Sequence, residues 1–332
     1  MSAESIVFDN HGDLKLRVGD AAQPDGSTVF MACSRALARV SPVFDRMLYG
    51  DFSEAKSSHH GQEWIVDLPE EQPIPMIIFL SIAHAQFHRV PRVLSADQLY
   101  DLTALTHYYD ATRVLGPWVN HWVECLEDIA RDANILAPKM LWIYWELGRK
   151  EAFLDTARRF VMEADGPIFA SESELGDLQM PPDIIASERI TAIRTQTIQS
   201  LLDVFRDMIN DLLVVDEKPR WCQHATWLGP HRCESMILGS VTFCLSRAGL
   251  WPLPEVKDVT YSLDGLCTKL RTLVIHDIGQ VPREPAVDHR KCNPTPFLLG
   301  EMDKIMRGIP DPVTDYHRKH LDEQAKKFNS NP

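Results

Sequence analysis

Seven cysteines are spread through 332 residues, and three of them stand within three positions of a histidine: Cys222-Gln223-His224, His231-Arg232-Cys233 and His289-Arg290-Lys291-Cys292. Thiolates and imidazoles gathered in fours are the donor set of tetrahedral zinc. The spacing falls short of a finger built from two C-x-x-C pairs, so separate segments must meet to complete a site. Two readings fit these residues. In the first, Cys222, Cys233, His289 and Cys292 hold a structural zinc ion that fastens the proline-rich tail onto a helical body. In the second, Cys233 is a small core hydrophobe and the histidines lie on solvated loops.

Other chemistries lack their motifs. The sequence contains no G-x-S-x-G elbow, P-loop, G-x-G-x-x-G or H-E-x-x-H pattern, which are the arrangements that activate a serine, cradle phosphates or build a zinc protease. Glu70-Glu71 falls in a proline-flanked loop, where a solvated turn accounts for the pair without acid–base work. His317-Arg318-Lys319-His320 with Lys326-Lys327 is the one concentrated basic stretch. It reads as a solvated helix face with cations toward the C-terminal end, or as a nuclear import address or contact for an acidic partner. Trp142-Ile143-Tyr144-Trp145 reads as core, or as a packing seam between the halves of the chain. The expectation is a protein that is not an enzyme, the alternative being an enzyme with an unrecognised site in the C-terminal half.

Composition bounds the partners. A hydrophobic share of 45% is enough to bury a real core. The formal net charge of −13 disfavours direct binding to phosphate backbones, so no nucleic-acid partner is expected. The first residues lack a basic region and an apolar core, and apolar runs such as 75–83 are too short to span a bilayer. An odd number of unevenly placed cysteines fits reduced thiols. A cytoplasmic or nuclear protein without membrane contact is the expectation.

The elements that must position these residues follow from periodicity. Leu14, Leu16 and Val18 alternate with Lys15 and Arg17, Pro24-Asp25-Gly26 supplies turn chemistry, and Ser27 to Ala32 resumes a β-rich run, which together predict a hairpin. A short helix over 36–40 precedes Ser41-Pro42, a cap with proline at the first helical position. Trp64, Val66 and Leu68 alternate as a strand, and Pro73 opens a helix with Ile74, Ile77, Ile78 and Ile82 on its spacing. Ser95 and Gln98 form a capping box for a helix that turns Leu99, Leu102, Leu105 and Tyr109 inward. The order β-β-α-α-β-α-(β)-α is α+β, not a regular βαβ alternation. Further helices begin at Pro117, run from 140 to 162, and extend over 190–212, with no strand-rich region beyond.

That order, joined to particular residues, resembles the BTB/POZ domain: Asp13-Leu14 with Val18-Gly19, Phe30-Met31-Ala32, Leu37, Ser41-Pro42-Val43-Phe44-Asp45-Arg46-Met47-Leu48 and Phe52-Ser53-Glu54-Ala55. Val66-Asp67-Leu68-Pro69 and the leucine-rich 99–113 stretch continue the likeness. The second half resembles the helical extension of fungal BTB proteins through Gly249-Leu250-Trp251-Pro252-Leu253, His289-x-x-Cys292-Asn293-Pro294 and Asp315-Tyr316-His317-Arg318. The resemblance implies a BTB/POZ domain over 5–125 and a helical second half; Gly166-Pro167, Ser171 to Glu174 and Pro181-Pro182 read as a linker or long loop over 165–183, between a helical extension over 126–164 and a helical C-terminal region over 184–328. The resemblance also implies a protein-binding scaffold or dimerisation module, expected as a homodimer, with Phe8, Leu37, Val43, Phe44 and Met47 on the self-association face. Ile6-Val7-Phe8 is either an exchanged N-terminal strand or part of its own domain. The alternative is a substrate adaptor that recruits a cullin, although Pro75-Met76-Ile77-Ile78 departs from the family's hydrophobic-x-Glu motif. Where the family carries a His-Arg pair this chain has Cys33-Ser34, so only Asp13 remains of the charged pocket.

Overall fold

The computed structural model describes residues 5–19, 27–56, 63–130, 137–165, 178–182, 189–214, 221–222, 232–281 and 287–329. The fold is α+β, and the chain divides into two compact units. One comprises Met1–Thr156, Leu178–Pro181 and Val313–Pro332; the other comprises Ala157–Asp177 and Pro182–Pro312. The terminal segment, placed by sequence in the C-terminal helical region, thus groups with the first unit. Among the described residues no helix is long and apolar enough to cross a membrane.

The first unit is organised on a four-stranded sheet of order β1-β3-β2-β4. Strands β2 (Leu14–Val18) and β3 (Thr28–Ala32) form the expected antiparallel hairpin, with Leu14 opposite Ala32. Strand β4 (Ile65–Leu68) runs parallel to β2, with Leu16 opposite Val66. Side chains alternate across a strand, so Leu14, Leu16 and Val18 are fully buried while Arg17 reaches Asp67 at 2.9 Å on the other face. The apolar patch at the N-terminus is β1 (Ile6–Val7), which pairs in parallel with β3 of its own chain. The turn residues 24–26 lie outside the described residues.

Helices α1 (Ser34–Val40) and α2 (Pro42–Tyr49) follow. Ser41 caps α2 by accepting from the Phe44 N–H at 3.0 Å, and Pro42 occupies the first turn, where its missing N–H costs nothing. Phe44 stacks on Tyr109 with ring centroids 4.3 Å apart. Helix α3 (Pro73–Ala83) departs from its expected stripe: Ile74 is exposed, whereas Met76, Ile78, Phe79, Leu80 and Ile82 are buried. It is apolar nearly all round, as a helix enclosed by its own unit must be. Residues 84–95 hold a 3₁₀ turn (Phe87–Arg89) where a strand was considered. The capping box of α4 (Ala96–Tyr108) has both its bonds, and Leu99, Leu102, Leu105 and Tyr109 are buried.

Helix α5 (Gly116–Ala130) buries Trp122 and Leu126. The helical run expected over 140–162 is two helices, α6 (Ala137–Glu146) and α7 (Lys150–Glu163). Gly148, at φ +64°, breaks them. A Cβ there would come within 2.3 Å of the Ala325 backbone nitrogen, so only glycine fits. Ala325 belongs to α12 (Asp315–Asn329), which packs on α6. The basic stretch is therefore half interior. His317 and Leu321 are fully buried, His320 stacks on Trp145 at 3.7 Å, and Lys319, Lys326 and Lys327 face outward. Trp142 to Trp145 form core of this unit.

The second unit is helical. Helix α8 (Arg189–Leu213) presents a buried stripe of Ile190, Ile193, Leu201, Phe205, Met208 and Leu212 to α9 (Arg232–Arg247), α10 (Leu263–Arg271) and α11 (Thr295–Arg307). Arg194, buried in that stripe, donates to the Ala164 carbonyl at 2.9 Å, which satisfies a charge that burial would otherwise penalise. Two short antiparallel strands, β5 (Gln280–Val281) and β6 (Val287–Asp288), occur where no strand was expected. Residues 166–177 and 183 of the expected linker, and 184–188 of the region expected after it, are not among the described residues.

Candidate metal centre

Three separate pieces of the second unit supply four donors. Cys222 stands in a short segment before α9, and Cys233 is in the first turn of α9. His289 and Cys292 open and close a 3₁₀ turn (His289–Cys292) that follows β6. A 3₁₀ turn has three residues per revolution, so positions i and i+3 fall on one side, and His289-x-x-Cys292 offers both donors in the same direction. The Asp288 carboxylate starts this turn by accepting from the Arg290 N–H at 3.0 Å.

The donor atoms of Cys222, Cys233, His289 and Cys292 all lie within 4.8 Å of one another, and all four residues are buried. His289 presents Nδ1, 3.6 Å from the Cys222 sulfur. With Zn–S near 2.3 Å and Zn–N near 2.0–2.1 Å, the edges of a tetrahedral site are about 3.5–3.8 Å. The cluster therefore has the donor chemistry to hold a metal ion, and its Cys222–His289 edge has the length of such a site. Burial, and then the adjoining Cys222 and Cys292 sulfurs, push the Cys233 thiol up. A bound cation reverses that preference, since a coordinating thiol gives up its proton.

These are the four residues that sequence spacing singled out. The reading of Cys233 as a core hydrophobe among solvated histidines fits the geometry less well, because His289 is as buried as the cysteines it faces. His224 and His231 lie outside the described residues. Sequence reasoning missed Glu234, which is 4% exposed and accepts from the Trp221 N–H at 2.6 Å and the Cys222 N–H at 3.4 Å. Its signal was an acid in the first turn of a helix, next to a candidate ligand. Asp277 and Asn293 were missed as well. Asn293 Nδ2 donates to Asp277 at 3.0 Å and to the Ile275 carbonyl at 2.9 Å, directly after Cys292.

The residues expected on a self-association face are distributed otherwise. Phe8, Leu37 and Phe44 are buried inside the first unit, because β1 lies on the sheet and α1 and α2 turn these side chains into the core. Val43 and Met47 are half-buried. Asp13 is not alone in its pocket. Its carboxylate accepts from the Ser34 N–H and hydroxyl, both at 2.9 Å, and from Lys56 at 2.7 Å. Partial burial would raise this carboxyl, but Lys56 and Ser34 outweigh it and hold Asp13 below the usual carboxylate range. Glu71 is not a freely solvated turn residue either: burial raises its carboxyl, which accepts from the Tyr109 hydroxyl at 3.0 Å.

No protein-family model and no curated protein sequence matches this chain.

Proposed function

We propose that this chain is a protein-binding scaffold: a BTB/POZ-like interaction unit, joined to a helical unit that a structural zinc ion holds together. The observation that carries the metal half is the convergence of four buried donors, three thiols and one imidazole, from segments up to 70 positions apart. A set of four protein ligands leaves no position open for substrate, which is the pattern of a structural rather than a catalytic site. Such an ion contributes to folding directly, by cross-linking segments distant in sequence.

What supports the interaction half is the arrangement of the first unit. An antiparallel hairpin is flanked by a parallel strand on each side, and helices α1 with α2 and α3 with α4 pack as pairs. The succession β2-β3-α1-α2-β4-α3 is the one that periodicity predicts and that, joined to residues Ser41 to Leu48, carries the resemblance. Val43 and Met47 remain partly accessible on α2 for contact with a second copy.

The test is size-exclusion chromatography with light scattering on the full chain, with elemental analysis of the same peak. A dimer carrying about one zinc per chain is the expected result. A monomer would remove the self-association reading, and a metal-free peak that binds no added zinc would remove the metal centre.

A further inference from the structure

The four ligands of the proposed zinc centre come as two pairs, and each pair is attached to a carboxylate outside the ligand set. We propose that Glu234 and Asp277 are positioning residues of this centre, one for each pair; the inference rests on the metal-centre reading above.

Cys222 is not carried by a helix or strand, so its direction depends on what holds its backbone. The Glu234 carboxylate oxygen takes the N–H groups of both Trp221 and Cys222. Glu234 is adjacent to Cys233 in the first turn of α9, so this one side chain ties the segment bearing one ligand to the turn bearing another. A buried carboxylate is costly unless its oxygens are hydrogen-bonded, and here it also sits where the positive end of a helix favours it. A residue kept in that place at that cost, one position from a ligand, fits a role in orienting the site.

The second pair is anchored in the same manner. Asp277 Oδ2 accepts from Asn293 Nδ2, directly after Cys292, and its Oδ1 accepts from the Gly279 N–H at 2.7 Å. The Gly279 carbonyl in turn accepts the N–H of His289 at 3.0 Å. Gly279 adopts φ +74°, a conformation that suits glycine. Asp277 therefore reaches both ends of the turn that carries His289 and Cys292. Partners outside the ligand set typically change metal affinity 10–100-fold when removed.

The experiment measures zinc affinity of the full chain by competition with a chromophoric chelator, and records the absorption spectrum of the cobalt(II)-loaded protein. Wild type is compared with Glu234→Ala, Glu234→Gln, Asp277→Ala and Asp258→Ala, the last removing an exposed carboxylate of the same unit as a charge control. Glu234→Ala is expected to weaken zinc about 10–100-fold and to shift the cobalt ligand-field bands, with one metal per chain and thiolate charge transfer retained. Glu234→Gln, which keeps an acceptor oxygen, should stay within a few-fold of wild type. Asp277→Ala should weaken zinc by about tenfold, and Asp258→Ala not at all.

Wild-type affinity in Glu234→Ala and Asp277→Ala would overturn this proposal and leave the centre standing. A wild type that binds neither zinc nor cobalt would overturn the centre and the proposal with it. If Glu234→Ala does not fold, Glu234→Asp decides, since its shortened carboxylate cannot keep both N–H bonds. A loss of about tenfold in Glu234→Asp, beside a near-normal Glu234→Gln, supports the role, and equal affinity of both with wild type overturns it.

Discussion

Two half-buried or buried histidines, His84 in the first unit and His289 in the second, show how one residue type is settled in two different ways. His84 is finished by its own backbone surroundings: Nδ1 bonds the Leu80 carbonyl at 2.9 Å and Nε2 accepts the Cys33 N–H at the same distance. Its neutral form is what the fold requires, and burial lowers its pKa. His289 instead turns Nδ1 toward a thiol, with two more thiols close by. Sulfur is a weak hydrogen-bond partner, so this cluster is matched to a soft cation. His84 is satisfied by hydrogen bonds within the protein; the cluster around His289 gathers donors that a metal would satisfy.

Removing the proposed metal should separate the two units most sharply. Cys233→Ser, or a strong chelator added to wild type, is expected to cost on the order of 4 kcal/mol or more, the scale for loss of a structural metal. Hydrogen exchange should show the loss in α9 and α11, with protection in β2, β3 and α4 retained. Equal loss of protection in both units would break the distinction.

A smaller effect belongs to the apolar core of the first unit. Phe44→Ala should cost about 3–5 kcal/mol in urea unfolding, with zinc content unchanged. Met47→Glu, at a half-buried position, should cost less and should lower the dimer fraction in light scattering. If Phe44→Ala instead yields a stable monomer, Phe44 contributes to the interface and not to the core.

The smallest effect is the pH dependence of the first unit. His84 has a lowered folded pKa, so its stabilisation is complete above the ordinary imidazole value of about 6.5 and is lost as pH falls below it. His107 has the opposite sign. Its hydrogen bond to Glu146 at 2.9 Å raises its pKa, and the resulting stability is complete below about 6.5 and lost as pH rises through the folded value. Between pH 7 and 5, His84→Gln should therefore show a shallower fall in melting temperature than wild type, and His107→Gln a steeper one. Identical slopes for all three would sink this assignment.

Much of the fold could be read locally. The hairpin alternation of Leu14, Leu16 and Val18, the cap at Ser41-Pro42 and the box at Ser95 and Gln98 are set by bonds and side-chain directions within a few residues. The misreadings came from long-range contacts. Ile74 has helical spacing yet is exposed in the first turn of α3, whereas Ile78 and Ile82, one and two turns further along the same face, are buried. The 140–162 run breaks at Gly148, where the α12 backbone approaches from 177 positions away, between Gly148 and Ala325. His317 and His320 read as a solvated basic face until α6 is found beneath them.

The candidate site divides along the same line. Donor type and the i, i+3 pairing of His289 with Cys292 are properties of the chain itself, and they were enough to name Cys222, Cys233, His289 and Cys292. Whether those four meet, and that Glu234 and Asp277 hold their backbones, depends on how α9, the 221–222 segment and the 289–292 turn come together. Sequence by itself determines which atoms can bind and which elements carry them, because those are covalent and local. Only tertiary structure decides their convergence, because hydrogen bonds and packing between distant segments have no fixed spacing along the chain.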